Sequence, residues 1–335
     1  MGGGQVSLQN FLSIPTVGCG FRPKKSGRKT GPEPRLLRSR TKVRKCVVRS
    51  RLADRSPPKS TVDVDRLVDF LYEDLRHVFD AQGIDPTAYD EHVRFRDPIT
   101  KYNGIRGYML NIALLRQLFR PQFLLHWVKK TGPYEITTRW TAVMKFVLLP
   151  WKPELVLTGT SIMDIDPETG KFCNHVDLWD SVQNNNYFSL EGLWDIFKQF
   201  RFYETPELES PQYQILKRTA NYEVRKYAPF ISVETGEDKL YGSAVFNRVA
   251  VFPDPKQDAI SLRTIDGGIA AVLKFSGKPS ENMVQEKAKE LRYSLIKDGL
   301  KPIKGCLLAR YNDPSRTWSF VMRNEVLIWL EEFSF

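Results

Sequence analysis

Between Val62 and Phe79 the apolar residues recur at helical spacing. Val64, Leu67, Val68, Leu71, Leu75, Val78 and Phe79 share one face, and Asp63 stands where a helix N-cap belongs. Gly83 and Pro86 end this helix. A short strand, His92–Asp97, and an apolar helix from about Gly107 to Leu118 come next. Phe123–Lys130, Tyr134–Leu149 and Glu154–Asp166 alternate apolar with polar residues or run β-branched, which predicts three strands. The turn DPETGK at Asp166–Lys171 leads into a fourth, FCNHVDLWD, and an aromatic-rich helix, Leu190–Phe200, closes the unit. Helix, strand, helix and then a long antiparallel meander make an α+β domain.

The acidic stretch ETPELESPQ, Glu204–Gln212, reads as a linker. Beyond it, YQILKRT and YEVRKY flank a turn at Ala220–Asn221, which predicts a hairpin. A strand at Ile269–Phe275 precedes a helix capped by Ser280, with Val284, Ala288, Leu291 and Leu295 on one face and Asp298–Gly299 at its end. Strands GCLLARY and WSFVMR are predicted to flank the turn NDPSRT, and NEVLIWL is predicted as a last strand. The domain boundaries that follow are a basic head and linker over 1–60, a first domain over 61–204, a linker over 205–212 and a second domain over 213–335.

Charge sharpens this division. The 335 residues hold 50 Lys and Arg against 39 Asp and Glu. Fifteen of those cations lie in residues 1–60 with only Glu33 and Asp54, so the remaining chain is slightly acidic. A nucleic-acid binder would keep its basic patch in the folded part, so that class is excluded. An acid-poor head rich in Arg, Lys, Ser and Thr, without an apolar secretory core, has the composition of an organellar transit peptide, with cleavage expected near Arg44–Ala53. A disordered basic arm retained on the protein is the other reading. The longest apolar runs, such as Phe146–Trp151, are of strand length, so no transmembrane helix is expected. Cys173 and Cys306 fall in separate domains and predict neither a disulfide framework nor a metal site.

The first domain resembles the cone-shaped α+β fold, with its curved antiparallel sheet, shared by nuclear transport factor two, ketosteroid isomerase and scytalone dehydratase. The resemblance rests on YDEHVRFRDPI at Tyr89–Ile99, GIRGY at Gly104–Tyr108 and GKFCNHVDLWD at Gly170–Asp180. Its pocket candidates are Asp97, Trp140, His175 and Asp177, with Arg139 and Asp180 beside them. His175 and Asp177 lie two apart on a strand and face one side. Aimed into an apolar cavity, such a pair would suit the acid–base work of an isomerase or dehydratase. As hydrogen-bonded structural groups they would do no chemistry.

YQILKRTANYEVRKYAPFISVET, then IDGGIAAVLKFSGKPSENMVQEKAKELRYSLIKDGL and GCLLARYNDPSRTWSFVMRNEVLIWLEEF, resemble the SOUL family of haem-binding proteins in its plant plastid form. Several dozen family residues, including a Met-Thr-x-Pro-Val segment, are missing at a join near residues 250–253. The resemblance therefore implies a truncated α+β barrel. It implies non-covalent binding of haem or another porphyrin by a carrier or buffer in the chloroplast. By resemblance the binding helix maps to Gly242–Ala250 and the binding loop to Tyr311–Thr317. Phe246 and Val249 would supply apolar contact, and Arg310, Tyr311 and Arg316 would meet carboxylates. All four histidines, His77, His92, His126 and His175, precede the second domain, so ligation without histidine is expected. The resemblance also admits peripheral association with thylakoids or plastid lipid droplets. A non-catalytic scaffold, dimerising through the open face of the cone-shaped sheet, is the remaining alternative.

Overall fold

The computed structural model describes residues 62–203, 211–235, 245–246, 260–312 and 317–335. The expected transit segment, the linker and the join near 250–253 lie outside these residues. α1 (Val64–Asp74) starts where Asp63 accepts from the Arg66 amide, and a 3-10 turn at Leu75–His77 extends it. β1 (Tyr89–Arg96), β2 (Lys101–Asn103) and α2 (Ile105–Leu118) follow. Then come β3 (Phe119–Gly132), β4 (Glu135–Phe146), β5 (Glu154–Ile165), β6 (Phe172–Trp179) and α3 (Leu190–Gln199).

These strands form one sheet in the order β2-β1-β6-β5-β4-β3. β3 to β6 form the expected antiparallel meander, and β1, which the sequence left unpaired, joins it in parallel along β6. Three reversals carry the chain from β3 to β6, so β6 arrives running in the direction of β1 and closes on it. The inner face buries Val93, Phe95, Ile136, Met163, Ile165 and Phe172 against Leu71, Leu75 and Val78 of the first helical segment and Tyr108 and Ile112 of α2. Further along, Trp140, Met144, Leu155, Leu157 and Trp179 pack beneath Ile196 and Phe200 of α3. Gly159 lies opposite Trp140, and a Cβ there would come within 2.2 Å of the Leu178 carbonyl oxygen. Only glycine allows that approach.

The second domain contains β7 (Tyr213–Arg218), β8 (Glu223–Tyr227), β9 (Phe230–Thr235), β10 (Val245–Phe246), β11 (Ile260–Ile265), β12 (Gly268–Phe275), α4 (Glu281–Lys297), β13 (Leu307–Arg310) and β14 (Asn324–Trp329). A five-stranded sheet has the order β13-β14-β12-β8-β7, and β9 lies between β10 and β11 in a three-stranded one. Tyr227 pairs with Gly268 and Phe230 with Ile265, so one ladder runs through a bend from the larger sheet to the smaller. Pro229 breaks one side of that bend. Gly267 turns the other at φ 81°, where a Cβ would sit 2.6 Å from the Tyr227 carbonyl oxygen. Val284, Leu291 and Leu295 of α4 are buried against one face of the larger sheet, as their spacing predicts.

Two expectations are corrected here. WSFVMR is not a strand: Ser319–Val321 form a 3-10 turn, with the Gly277 amide donating to the Ser319 carbonyl. Trp318, Ser319 and Phe320 are all exposed and Val321 and Met322 both buried, so the segment lacks the alternation of a strand. Gly242–Ala250 is not helical where it is described, since Val245 and Phe246 pair with Val233 and Ser232 of β9.

The outer face of the first sheet is not open at β4 and β5, because β7 lies on it. Thr141 Oγ1 donates to the Ile215 carbonyl, and the Arg218 amide donates to Thr158 Oγ1. Arg218 reaches past the sheet to α3 and makes a two-pronged ion pair with Asp195, at 2.7 and 3.0 Å. Arg139 forms a second such pair with Asp180 and also donates to the Leu216 carbonyl. Phe335 stacks on His126 and covers the Arg139 guanidinium. Burial, then the Arg139 charge, lowers the His126 pKa to about 4, so this ring is neutral at pH 7.

Candidate functional site

On the face of the larger second-domain sheet away from α4, β12 contributes the small side chains Ala270 and Val272. Arg225 on β8 stands directly beside Ala270 and reaches across β12 to Glu325 on β14. Both side chains are 0% exposed. The Glu325 carboxylate accepts from Arg225 at 2.9 and 3.2 Å, from Arg323 at 2.8 and 3.1 Å, and from the Tyr311 hydroxyl at 2.9 Å. Glu223 accepts from Arg225 and from Lys274 Nζ. Tyr213 and Tyr311 lie under the guanidinium groups of Arg225 and Arg323, at 4.2 and 4.1 Å from the ring centroids.

Burial alone would raise both carboxyl pKa values. Lys274 and Arg225 instead hold Glu223 at about 2, and Arg225 and Arg323 hold Glu325 far below the usual carboxylate range. Three cations thus surround two carboxylates. Among the described residues one positive charge of the cluster has no carboxylate to match it, and Lys274 is the cation nearest solvent, with 34% of its side chain exposed. Beside this cluster the same face packs Tyr227, Ala270, Val272, Ala309 and Leu327, all buried, and leaves Tyr213, Phe230, Leu307 and Trp329 half-buried around them. A half-buried aromatic rim with a cation beside it fits the margin of a flat apolar ring system carrying carboxylates.

Of the expected tetrapyrrole contacts, Tyr311 belongs to this cluster and Arg310 is exposed at the end of β13. Phe246 is described only in its backbone, and Val249 and Arg316 lie outside the described residues. Arg225, Glu223 and Glu325 were not singled out from sequence. Their signal was alternation with charged residues at inward-facing strand positions, in EVRKY and NEVLIW. The other sulfur and hydroxyl groups fit iron ligation poorly. Met283 and Cys306 pack against the α4 side of the sheet. Burial raises the Cys306 pKa and keeps it a neutral thiol. Tyr227 accepts from Arg225 and Tyr311 donates to Glu325. A porphyrin here would be held by packing on Trp329 and ion pairing with Lys274, and its metal would supply any redox chemistry.

Inside the first domain three of the four pocket candidates, Trp140, His175 and Asp177, come together in one buried chain. Trp140 Nε1 donates to Ser161 Oγ at 2.9 Å, and Ser161 donates to Asp177 at 2.5 Å. Asp177 meets His175 Nε2 at 2.9 Å, and His175 Nδ1 meets the Tyr108 hydroxyl at 3.1 Å. Sequence reasoning missed Tyr108 and Ser161, which become neighbours only through strand register and helix packing. His175 is 4% exposed, set edge-on against Phe95 and Tyr108, with both ring nitrogens engaged. Arg139 and Asp180 are elsewhere, on the outer face beneath β7.

Asp97 closes the turn after β1, accepting from the Ile99 and Thr100 amides and the Thr100 hydroxyl. Burial, with repulsion from Asp177, overcomes those hydrogen bonds and raises its pKa to about 6. A carboxyl whose folded pKa lies above its unfolded value binds protons more tightly when folded. Its ionisation therefore destabilises the fold as pH rises from about 4 to about 6. Asp97→Asn is expected to remove that slope, on the order of 2 kcal/mol between pH 4 and 7. Urea midpoints of parent and variant across that range test this, and parallel curves would refute it. Taking the difference cancels the opposite slope of His126, whose lowered pKa favours the folded state as pH rises from about 4.

Comparison with known proteins matches each domain separately. Residues 65–175 match the family model described as an uncharacterized conserved protein, DUF2358. Residues 243–329 match the model of the SOUL heme-binding protein, leaving β7, β8 and β9 outside the matched range. No curated protein matches the chain. Among solved structures, the epoxide hydrolase/cyclase-like enzyme SalBIII is 17% identical, over 35% of this chain and 92% of its own, with a TM-score of 0.30. An NTF2-like protein of unknown function from Exiguobacterium is also 17% identical, over 36% and 98%, with a TM-score of 0.27. Δ5-3-ketosteroid isomerase from Mycobacterium is 14% identical, over 33% and 92%, with a TM-score of 0.28.

Proposed function

We propose that this chain, whose residues 243–329 match a haem-binding family model, binds a tetrapyrrole on the β12–β14 face and acts as its carrier or buffer. One observation carries the reading. The half-buried Trp329 and Leu307 adjoin a charge cluster with one cation in excess among the described residues, of which Lys274, Arg323 and Glu325 fall in the matched range and Arg225 and Glu223 do not. Propionate groups pair with Lys274 while the ring system packs on that rim. With no histidine after His175, the reading requires no iron, and haem and metal-free porphyrin are both ligands. The acid-poor basic head supports an organellar location, and the resemblance to the plastid form of the SOUL family favours the plastid. The Tyr108–His175–Asp177 chain takes a structural part in this reading.

Titrating hemin and protoporphyrin IX into the full chain, with the Soret band as readout, tests the proposal. Saturable binding of both is expected. Lys274→Gln is expected to weaken binding roughly tenfold, the effect of losing one charge-assisted hydrogen bond. No Soret shift in the folded parent would overturn the reading. Turnover of a tetrapyrrole that His175→Ala abolishes would replace it with an enzymatic one.

A further inference from the structure

α3 has two apolar faces. Ile196 and Phe200 pack inward, and Gly192 lies against Pro98, Ile99 and Val182. The opposite side presents Leu190, Leu193, Trp194 and Phe197 to solvent, with Leu190 73% and Phe197 65% exposed. Glu191, Asp195, Lys198 and Gln199 take the remaining side, so the exposed apolar face exceeds what packing on its own domain uses. The segment before it adds exposed Tyr187 and Phe188, the latter held at φ 62°, a conformation costly for an aromatic residue. Beyond the helix, Trp151 and Phe202 continue the patch. The Arg201 side chain, in turn, bonds to the Phe320 carbonyl of the second domain, where Trp318 is 75% exposed. Two domains thus contribute to one aromatic surface, far larger than the isolated apolar residues normal on a monomer.

The chemistry of this patch points to one kind of occupant. Among the described residues, the exposed indole N–H groups of Trp194 and Trp318 have no protein acceptor, as the buried Trp127 also lacks one, whereas Trp140 and Trp151 each have one. Rings with an apolar body and an unbonded polar edge suit the lipid headgroup boundary. The rim is cationic. Lys152, Lys198 and Lys278 are exposed with no carboxylate partner among the described residues, and Arg201 bonds only to neutral groups. On the same helix Asp195 is turned inward to Arg218, and Glu191 bonds to the Gln183 and Asn184 amides. An aromatic helix face framed by cations matches an anionic bilayer surface. No described helix is long and apolar enough to cross a membrane, so this contact lies in the interface. We infer that α3, with Trp318 and Phe320, docks the protein on an anionic lipid surface.

Flotation of the full chain with vesicles tests this, using phosphatidylglycerol mixed with phosphatidylcholine and phosphatidylcholine alone. The parent is expected to partition onto the mixed vesicles and at least tenfold less onto the neutral ones. Trp194→Ala/Phe197→Ala is expected to lose at least tenfold in partition, and Trp318→Ala several-fold, with unchanged thermal midpoints because these side chains are exposed. Absence of parent binding, or binding that the double variant leaves intact, overturns the inference. Equal partition onto both vesicles overturns its anionic part. A dimer in light scattering that the double variant dissolves, without vesicle binding, assigns the patch to self-association instead.

Discussion

Replacing Glu325 by alanine is expected to cost about 3–5 kcal/mol of stability, the cost of stranding a buried charge. Arg225 is fully buried and would lose two of its hydrogen bonds to the missing carboxylate, while Arg323 and the Tyr311 hydroxyl would lose theirs. That is a large share of the roughly 5–15 kcal/mol that holds a typical domain. Urea midpoints measure it, and a variant within about 1 kcal/mol of the parent would remove the cluster as a stabilising element. Removing both partners gives the sharper comparison. Arg225→Met/Glu325→Met leaves no stranded Arg225–Glu325 charge and is expected to recover much of the loss. Acid acts on the same groups. Glu223 and Glu325 have lowered folded pKa values, so their contribution is complete above the ordinary carboxylate range and is lost as pH falls, for Glu223 through about 2. The parent should therefore unfold in acid more steeply than the double-methionine variant.

The second large effect concerns the junction. Arg218→Ala strands Asp195, whose side chain is 2% exposed, and is expected to cost about 3–5 kcal/mol by the same argument. Its signature differs, however. Arg218 belongs to β7 of the second domain and Asp195 to α3 of the first, so the loss falls on the coupling between them. The parent is expected to melt in one calorimetric transition and the variant in two. A single transition at a lower midpoint would mean that the pair stabilises one domain without linking it to the other. Asp195→Asn/Arg218→Gln keeps a hydrogen bond without the charges and should restore most of the coupling.

What was legible in the sequence was periodic. α1, α2, α3 and α4, and the long strands β3 to β6, follow from apolar spacing and capping residues, and the structure places them within a few residues of expectation. The short strands were hidden. β9 and β11 are each cut from a neighbouring strand by Pro229 or by Gly267–Gly268, so their ladder reads as a loop. Trp318 and Phe320 misled in the opposite direction, because aromatics at a spacing of two resemble a strand. Of the first-domain site, the strand alternation correctly put His175 and Asp177 on one side, but Tyr108 and Ser161 needed three dimensions. In the second domain, Arg225 and Glu325 are a hundred residues apart, and only the register of β8, β12 and β14 joins them.

The seat of β7 on the first sheet has a further consequence. The contacts that hold it do not depend on the peptide bonds between Tyr203 and Pro211, since Thr141, Thr158, Arg139 and Asp195 all bind from across space. A cut in that stretch leaves each fragment with its half of every pair. The two pieces should find each other again when expressed from separate genes, as split-protein complementation. The first piece alone would carry unpaired Thr141 and Thr158 and the unmatched Asp195 carboxylate, and the second the Arg218 guanidinium that belongs to it.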